Sequence, residues 1–240
     1  MRVALVTGAN KGIGRAIAER LLREGYALGF ATHDRDEETA SELRGLGDLH
    51  DVWGDLADAD VPVRLVREVA EHFGRLDVLV NNAGLSTAKP ALELTVEDFD
   101  QTFDVDVRAA FLASQEAARR MTDGGVIVNI TSVHEHVPRP GFALYAPAKA
   151  ALGMLTRSLA LELAPKIRVV AVAPGAIATE RNEEADELQP EIPLGRAGTP
   201  EEIAAAVAWL VSDEASYVTG ASFLIDGGMA QQVVEQPAGR

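Results

Sequence analysis

The chain has 240 residues, 47% of them hydrophobic, which is long enough for one sizeable core and too apolar for disorder. Its formal net charge of -15 disfavours nucleic acid and anionic membranes as partners, while a small dinucleotide held by a local helix dipole stays compatible. Cysteine is absent, which removes disulfides, thiolate nucleophiles and cysteine-ligated metals and fits a reducing cytoplasm.

The first element is the apolar run Val3–Val6, expected as a strand. Next comes Thr7-Gly8-Ala9-Asn10-Lys11-Gly12-Ile13-Gly14. Ile13, Ala16, Ile17 and Leu21 then recur at three- and four-residue spacing, so a helix is expected over 13–24. Strand, glycine turn and helix in that order make a phosphate cradle. Glycine lets the backbone approach a pyrophosphate, and the helix N-terminus offers unpaired N–H groups. The spacing is Gly-x-x-x-Gly-x-Gly, not the commoner Gly-x-Gly-x-x-Gly.

Further strands are expected at 27–31, 49–53, 78–80, 126–130, 169–172 and 222–225, with helices near 36–45, 61–73, 96–120, 146–164 and 200–212. Several strands are apolar without alternation, as in Val126-Ile127-Val128-Asn129-Ile130, which suits a parallel sheet covered on both faces. Repeated strand–helix–strand units imply right-handed crossovers and a single α/β domain, a doubly wound seven-stranded parallel sheet over 1–231. Residues 232–240 read as a tail. No apolar run approaches the roughly 20 residues of a membrane-spanning helix. The first strand starts at once with no cleavage site after it, so a cytoplasmic location is expected.

In such a sheet the ligand sits beyond the carboxyl ends of the strands. After the second strand, Thr32, His33 and Arg35, with Lys11 from the glycine turn, favour the 2′-phosphate of NADP, while Asp34 keeps NAD open. After the third, Asp55-Leu56 offers a carboxylate to an adenine amino group and an apolar surface to its ring, although an Asp there also serves as a helix cap. After the fourth, Asn81-Asn82-Ala83-Gly84 reads equally as a close pass by a ribose or as an Asn-stabilised turn. The fifth ends in Thr131-Ser132, followed by Tyr145-Ala-Pro-Ala-Lys149. Residues four apart share a helix face, so Tyr145 and Lys149 are expected to point into one cleft. An ammonium beside a phenol favours the phenolate, giving a group able to exchange a proton with a carbonyl or alcohol oxygen. Ser132 is placed to hold that oxygen.

Together, Thr7–Gly14, Asp55-Leu56, Asn81–Gly84, Ser132, Tyr145/Lys149 and Pro174-Gly175-Ala176-Ile177-Ala178-Thr179 resemble the short-chain dehydrogenase/reductase family, in order and spacing, over nearly the whole chain. The resemblance implies a single-domain Rossmann fold and an NAD(P)-dependent enzyme. Gly8, Gly12, Ile13 and Gly14 would flank the pyrophosphate, Asp55 and Leu56 the adenine, Asn82 the ribose, and Ile177 and Thr179 the nicotinamide carboxamide. Asn10, Lys11, Ala83, Gly84, Pro174 and Gly175, in the same motifs, would also line the cofactor. Tyr145 would exchange the proton, Lys149 would bind the nicotinamide ribose and favour the phenolate, and Ser132 would orient the substrate oxygen. The segment at about 176–198 would be a substrate lid. Family members are usually homotetramers, and Ala148, Ala150, Ala151 and Gly153 would permit close packing of helices between subunits.

One departure stands out. Where the family usually has an asparagine that holds a water relaying protons to the lysine, this chain has Asp106. A carboxylate there keeps the acceptor oxygen, stabilises the ammonium and opposes phenolate formation, so an altered pH profile is expected. Within the family, Ser132-Val133-His134-Glu135 and Asp226-Gly227-Gly228-Met229 resemble bacterial glucose 1-dehydrogenases. Pro193-Leu194-Gly195-Arg196 resembles 3-oxoacyl-carrier-protein reductases. The lid's Glu180, Glu183, Glu184, Asp186, Glu187 and Glu191 would repel an anionic carrier, whereas Arg119 and Arg120 would offer it a local basic dock. A non-catalytic dinucleotide sensor is the competing class; intact Ser132, Tyr145 and Lys149 speak against it.

Overall fold

The computed structural model describes residues 1–179, 190 and 192–231. Apolar runs form the strands β1 (Val3–Thr7), β2 (Ala27–Thr32), β3 (Leu49–Trp53), β4 (Val78–Asn81), β5 (Gly125–Ile130), β6 (Ile167–Pro174) and β7 (Ser222–Ile225). They are buried on both faces in the centre of the sheet and partly exposed in the edge strands β3 and β7. All neighbours pair in parallel, in the order β3-β2-β1-β4-β5-β6-β7. The order reverses between β1 and β4, and ligands of open α/β sheets bind at such a point.

Helices cover both faces: α1 (Gly12–Arg23), α2 (Glu37–Arg44), α3 (Asp60–Phe73), α4 (Val96–Phe103), α5 (Ala109–Arg120), α6 (Tyr145–Leu163) and α7 (Pro200–Val211). On one face Ile17, Leu21, Leu43, Ile203 and Val207 pack against Val6, Phe30 and Val170. On the other, Leu65, Val69, Ala113 and Ala117 pack against Leu5, Leu79 and Ile127. The fold is the expected Rossmann sheet. The expected lid falls partly, and its acidic residues wholly, outside the described residues, as does the tail at 232–240. Among the described residues no helix is long and apolar enough to cross a membrane.

The helix expected over 96–120 is two helices with a π-helical turn, Asp104–Arg108, between them. There the Ala109 N–H donates to the Asp104 carbonyl, five residues back. The wider turn brings Asp106 inward, where it is 1% exposed. Helical periodicity alone gives no sign of such a local change of pitch.

Candidate active site

The glycine turn closes tightly. Gly8 and Gly12 have φ of 64° and 52°, a region L side chains rarely adopt. A Cβ on Gly14 would lie 2.1 Å from the Gly8 carbonyl oxygen, so no larger residue fits. No side chain caps α1 and no acidic residue stands in its first turn, which leaves its N–H groups and dipole open to an anion. A dinucleotide pyrophosphate fits that end. Asn82 and Ala83 are pinned beside it: their N–H groups both donate to Thr7 Oγ1 at 3.0 Å. The Asn82 amide nitrogen donates to the carbonyls of Thr7 and Gly8, at 2.9 and 3.2 Å. The Asn82 side chain therefore braces the turn. Asn10 donates to Asp36 Oδ2 at 3.2 Å, and Asp36 caps α2 through the Thr39 N–H at 3.1 Å. That N–H, helped by Asn10 and opposed by burial, holds the Asp36 carboxyl below its usual range.

At the end of β2, Thr32 Oγ1 donates to the Asp34 carbonyl at 2.6 Å. His33 Nδ1 lies 3.0 Å from Asp34 Oδ2, and its Nε2 lies 3.8 Å from Asp55 Oδ1. Arg35 sits over the Trp53 ring, 5.3 Å from its centroid, with Glu37 at 3.3 Å and Asp51 at 3.8 Å. Asp55 accepts from the Ala57 N–H at 2.9 Å, the local turn role open to any such Asp. Leu56 borders an apolar hollow with Leu5, Ala83, Val105 and Ala109, beside the switch point. At the far end Gly175 donates to the Ile225 carbonyl at 3.0 Å, just after Pro174. Ile177 forms a bridge with Gly198, and the Thr179 methyl faces Gly12.

The reactive side chains meet at the mouths of β4 and β5. α6 begins with Tyr145, and Pro147 occupies its first turn, where a missing N–H costs no helical hydrogen bond. Lys149, 3% exposed, donates to the Ile130 carbonyl at 3.2 Å. Its Nζ lies 3.7 Å from Asp106 Oδ2 and 5.6 Å from the Tyr145 ring centroid. Asp106 Oδ1 accepts from the Leu85 N–H at 2.7 Å. At Gly84 the chain passes so close that a Cβ would lie 2.8 Å from Asp106 Oδ1 and 3.0 Å from Lys149 Nζ. Ser132 ends β5, 7% exposed, and its Oγ accepts from the His134 N–H at 3.2 Å.

Sequence reasoning missed the supports beneath these groups. Asn81 Nδ2 donates to Ser114 Oγ at 3.1 Å and to Asn129 Oδ1 at 2.8 Å. Asn129 Nδ2 donates in turn to Thr156 Oγ1 at 2.9 Å. This buried ladder ties β4 and β5 to α5 and α6. Asn129 interrupts an otherwise apolar strand, and a buried amide requires partners; that was the available signal. Glu135 is a second support, its side chain 3% exposed. Its Oε2 accepts from Thr131 and Ser222 hydroxyls, both at 2.8 Å. Gly153 makes room for it, since a Cβ there would lie 2.2 Å from Oε1. Of the four small residues expected at a subunit contact, Gly153 and Ala148 are buried within this chain, Ala151 is half-buried and Ala150 is exposed. Arg119 and Arg120, expected as a basic dock, both bind the buried Glu116, at 3.2 and 3.0 Å, and Arg120 also reaches Glu71. Among the described residues no cluster of three or more His, Cys, Asp or Glu could hold a metal ion.

The fold and the uncapped glycine turn are those of a dinucleotide-binding oxidoreductase, with Ser132 at the end of β5 and Tyr145 and Lys149 at the start of α6 as its candidate reactive groups. A family model described as enoyl-(acyl carrier protein) reductase matches residues 8–230. A solved short-chain dehydrogenase/reductase from Serratia marcescens is 43% identical, with a TM-score of 0.91 over 95% of this chain and 98% of its own. Glucose 1-dehydrogenase 2 of Bacillus subtilis is 42% identical over 95% of this chain and 94% of its own. The crystal structure of acetoin dehydrogenase from Enterobacter cloacae is 44% identical, with a TM-score of 0.91 over 98% of each chain. The chain belongs to the short-chain dehydrogenase/reductase family, oxidoreductases that bind NAD(P) and act on CH–OH groups.

Proposed function

We propose that this enzyme interconverts a secondary alcohol or sugar hemiacetal and its carbonyl counterpart, in the manner of glucose 1-dehydrogenases, with NADP preferred over NAD. The observation that carries the reading is the buried Lys149 ammonium, 5.6 Å from the ring of Tyr145, which begins α6. Bound nicotinamide supplies or takes up the hydride. Tyr145 gives its hydroxyl proton to the carbonyl oxygen in reduction and takes it back in oxidation. Lys149 holds its positive charge over the Tyr145 ring, where it would meet the cofactor's ribose. The Ser132 oxygen already accepts from His134, so its own O–H stays available to hold the substrate oxygen. Two relatives act on substrates consistent with this reading, glucose and acetoin.

The NADP preference rests on β2 ending in Thr32 with no carboxylate at that position. Asp36 is committed to capping α2, and Lys11, His33 and Arg35 are the basic groups for a 2′-phosphate, which would compete with Asp34 for His33 and with Glu37 and Asp51 for Arg35. Residues 176–198 act as lid, and the enzyme works as a cytoplasmic homotetramer. Reduction of an acyl thioester ketone is the second reading, favoured by the description of the matching family model. Glu116 weighs against it by occupying Arg119 and Arg120.

Fluorescence titration of NADPH against NADH, followed by glucose oxidation and acetoacetyl thioester reduction on one sample, separates these readings. Tighter NADPH binding with glucose turnover is expected. Turnover of the thioester alone overturns the alcohol reading. Binding without turnover on either overturns catalysis by this site, and so does turnover that is unchanged in Tyr145→Phe.

A further inference from the structure

The reactive groups come from two separate elements: Ser132 follows β5, while Tyr145 and Lys149 begin α6. A misplacement of about 1 Å between such groups is enough to lose most of a reaction's rate. Glu135 is built to prevent it. The residue closes the short turn Val133–Glu135 after Ser132 and brackets that serine. Its N–H donates to the Ser132 carbonyl at 2.8 Å, and its Oε2 accepts from the hydroxyl of Thr131, the residue before, also at 2.8 Å. Three successive residues at the mouth of β5 are thereby committed. The Ile130 carbonyl receives Lys149 Nζ, Thr131 gives its hydroxyl to Glu135, and Ser132 Oγ receives the His134 N–H. That N–H belongs to the turn Glu135 holds, so the direction of the serine hydroxyl follows from where the carboxylate is anchored.

The other carboxylate oxygen faces α6. Tyr145, Lys149, Gly153 and Arg157 recur every four residues along one side of that helix. Gly153 leaves a notch for Oε1, and Arg157 Nη2 lies 3.4 Å from the same atom. His136 Nε2 is 3.7 Å away. From behind, Ser222 Oγ on β7 donates to Oε2. One buried carboxylate thus joins the turn that carries Ser132 to the side of α6 that carries the proton-exchanging pair, with β7 as a backstop.

We propose that Glu135 is a positioning residue for the reaction, acting through Ser132: it registers the serine hydroxyl against the Tyr145–Lys149 side of α6. The proposal rests on the roles given above to Ser132 and Tyr145 in the alcohol–carbonyl reading. It also makes the two hydroxyl partners of Oε2 unequal. A carboxylate that merely satisfies buried polar groups is served alike by Thr131 and Ser222, since both donate to one oxygen at 2.8 Å. A carboxylate that places Ser132 depends on Thr131, because only that arm reaches the serine's neighbour in the chain.

The test measures kcat, dinucleotide Kd and urea midpoint on the full-length protein for Thr131→Val, Ser222→Ala, Glu135→Gln and Glu135→Leu. The substrate is whichever of glucose and the acetoacetyl thioester the parent turns over faster. Thr131→Val is expected to lower kcat about tenfold with dinucleotide Kd unchanged within about threefold. Ser222→Ala is expected to keep kcat within about threefold, even where the two urea midpoints fall alike. Glu135→Gln keeps an oxygen for both hydroxyls and should hold kcat within about threefold, whereas Glu135→Leu accepts from neither and should lose about a hundredfold. If Glu135→Leu does not fold, Thr131→Val against Ser222→Ala decides. An unchanged kcat in Thr131→Val, or equal losses of kcat in Thr131→Val and Ser222→Ala, overturns the role of Glu135 and leaves the alcohol–carbonyl reading intact. No turnover of either substrate by the parent, with dinucleotide bound, overturns that reading and this proposal together.

Discussion

Removing the Asp106 carboxylate tests the place where the sequence reading expects this site to depart from its family. Asp106 and Lys149 are both almost wholly buried, and their charged atoms are 3.7 Å apart. At an effective dielectric constant of about 20, that separation is a gross attraction of about 4 kcal/mol. Desolvation of the two groups offsets much of it, so the pair as a whole contributes little net stability. Breaking it from one side is different, because the ammonium then stays buried without its counter-charge. Asp106→Leu is expected to destabilise the fold by about 3 to 5 kcal/mol and to weaken dinucleotide binding. Asp106→Asn keeps an oxygen for the Leu85 N–H and the shape of the π-helical turn, and removes only the charge. Its fold is expected to survive, with a pH–rate profile for carbonyl reduction displaced to lower pH, since one less negative charge beside the site favours the deprotonated states. Urea denaturation reads the first effect, and kcat/KM from pH 5 to 10 reads the second. Superimposable profiles for Asp106→Asn and the parent would refute the electrostatic reasoning, and so would Asp106→Leu unfolding at the parent's urea midpoint.

Three further outcomes are expected. Arg67, with lesser help from Arg120 and Arg119 and against the cost of burial, pulls the Glu116 carboxyl from 4.5 to about 2. Its contribution to stability is therefore complete above about pH 4.5 and lost as pH falls through about 2. The half-exposed arginines are screened, so Glu116→Gln should cost about 2 kcal/mol at pH 7, and chemical denaturation at pH 7 and pH 3 should show the difference shrinking. Gly14→Ala places a methyl 2.1 Å from the Gly8 carbonyl and should abolish measurable dinucleotide binding by isothermal titration. Tyr145→Phe should retain dinucleotide affinity within about threefold while kcat falls by at least about a hundredfold; equal loss in both would place Tyr145 in binding alone.

Most of the frame was legible because each signal is local and periodic. The seven strands and the glycine turn lie where expected, since a central strand buried on both faces has few ways to be written. Tyr145 and Lys149 also followed from a simple rule, the four-residue repeat of one helix face. What escaped detection depends on contacts across the chain. Asp106 enters the site through a π-helical turn, which leaves no mark on hydrophobic spacing. Gly153 reads as a small residue suited to a helix contact, and its neighbour proves to be the Glu135 carboxylate, 18 residues earlier in the chain. Arg119 and Arg120 read as free cations because their counter-charge, Glu116, sits one turn away on the same helix among apolar neighbours. Residues that perform the family's chemistry can thus be found by motif, whereas the supports that hold them, such as Glu135 between Thr131 and Ser222, join elements far apart in the chain and have to be argued from geometry.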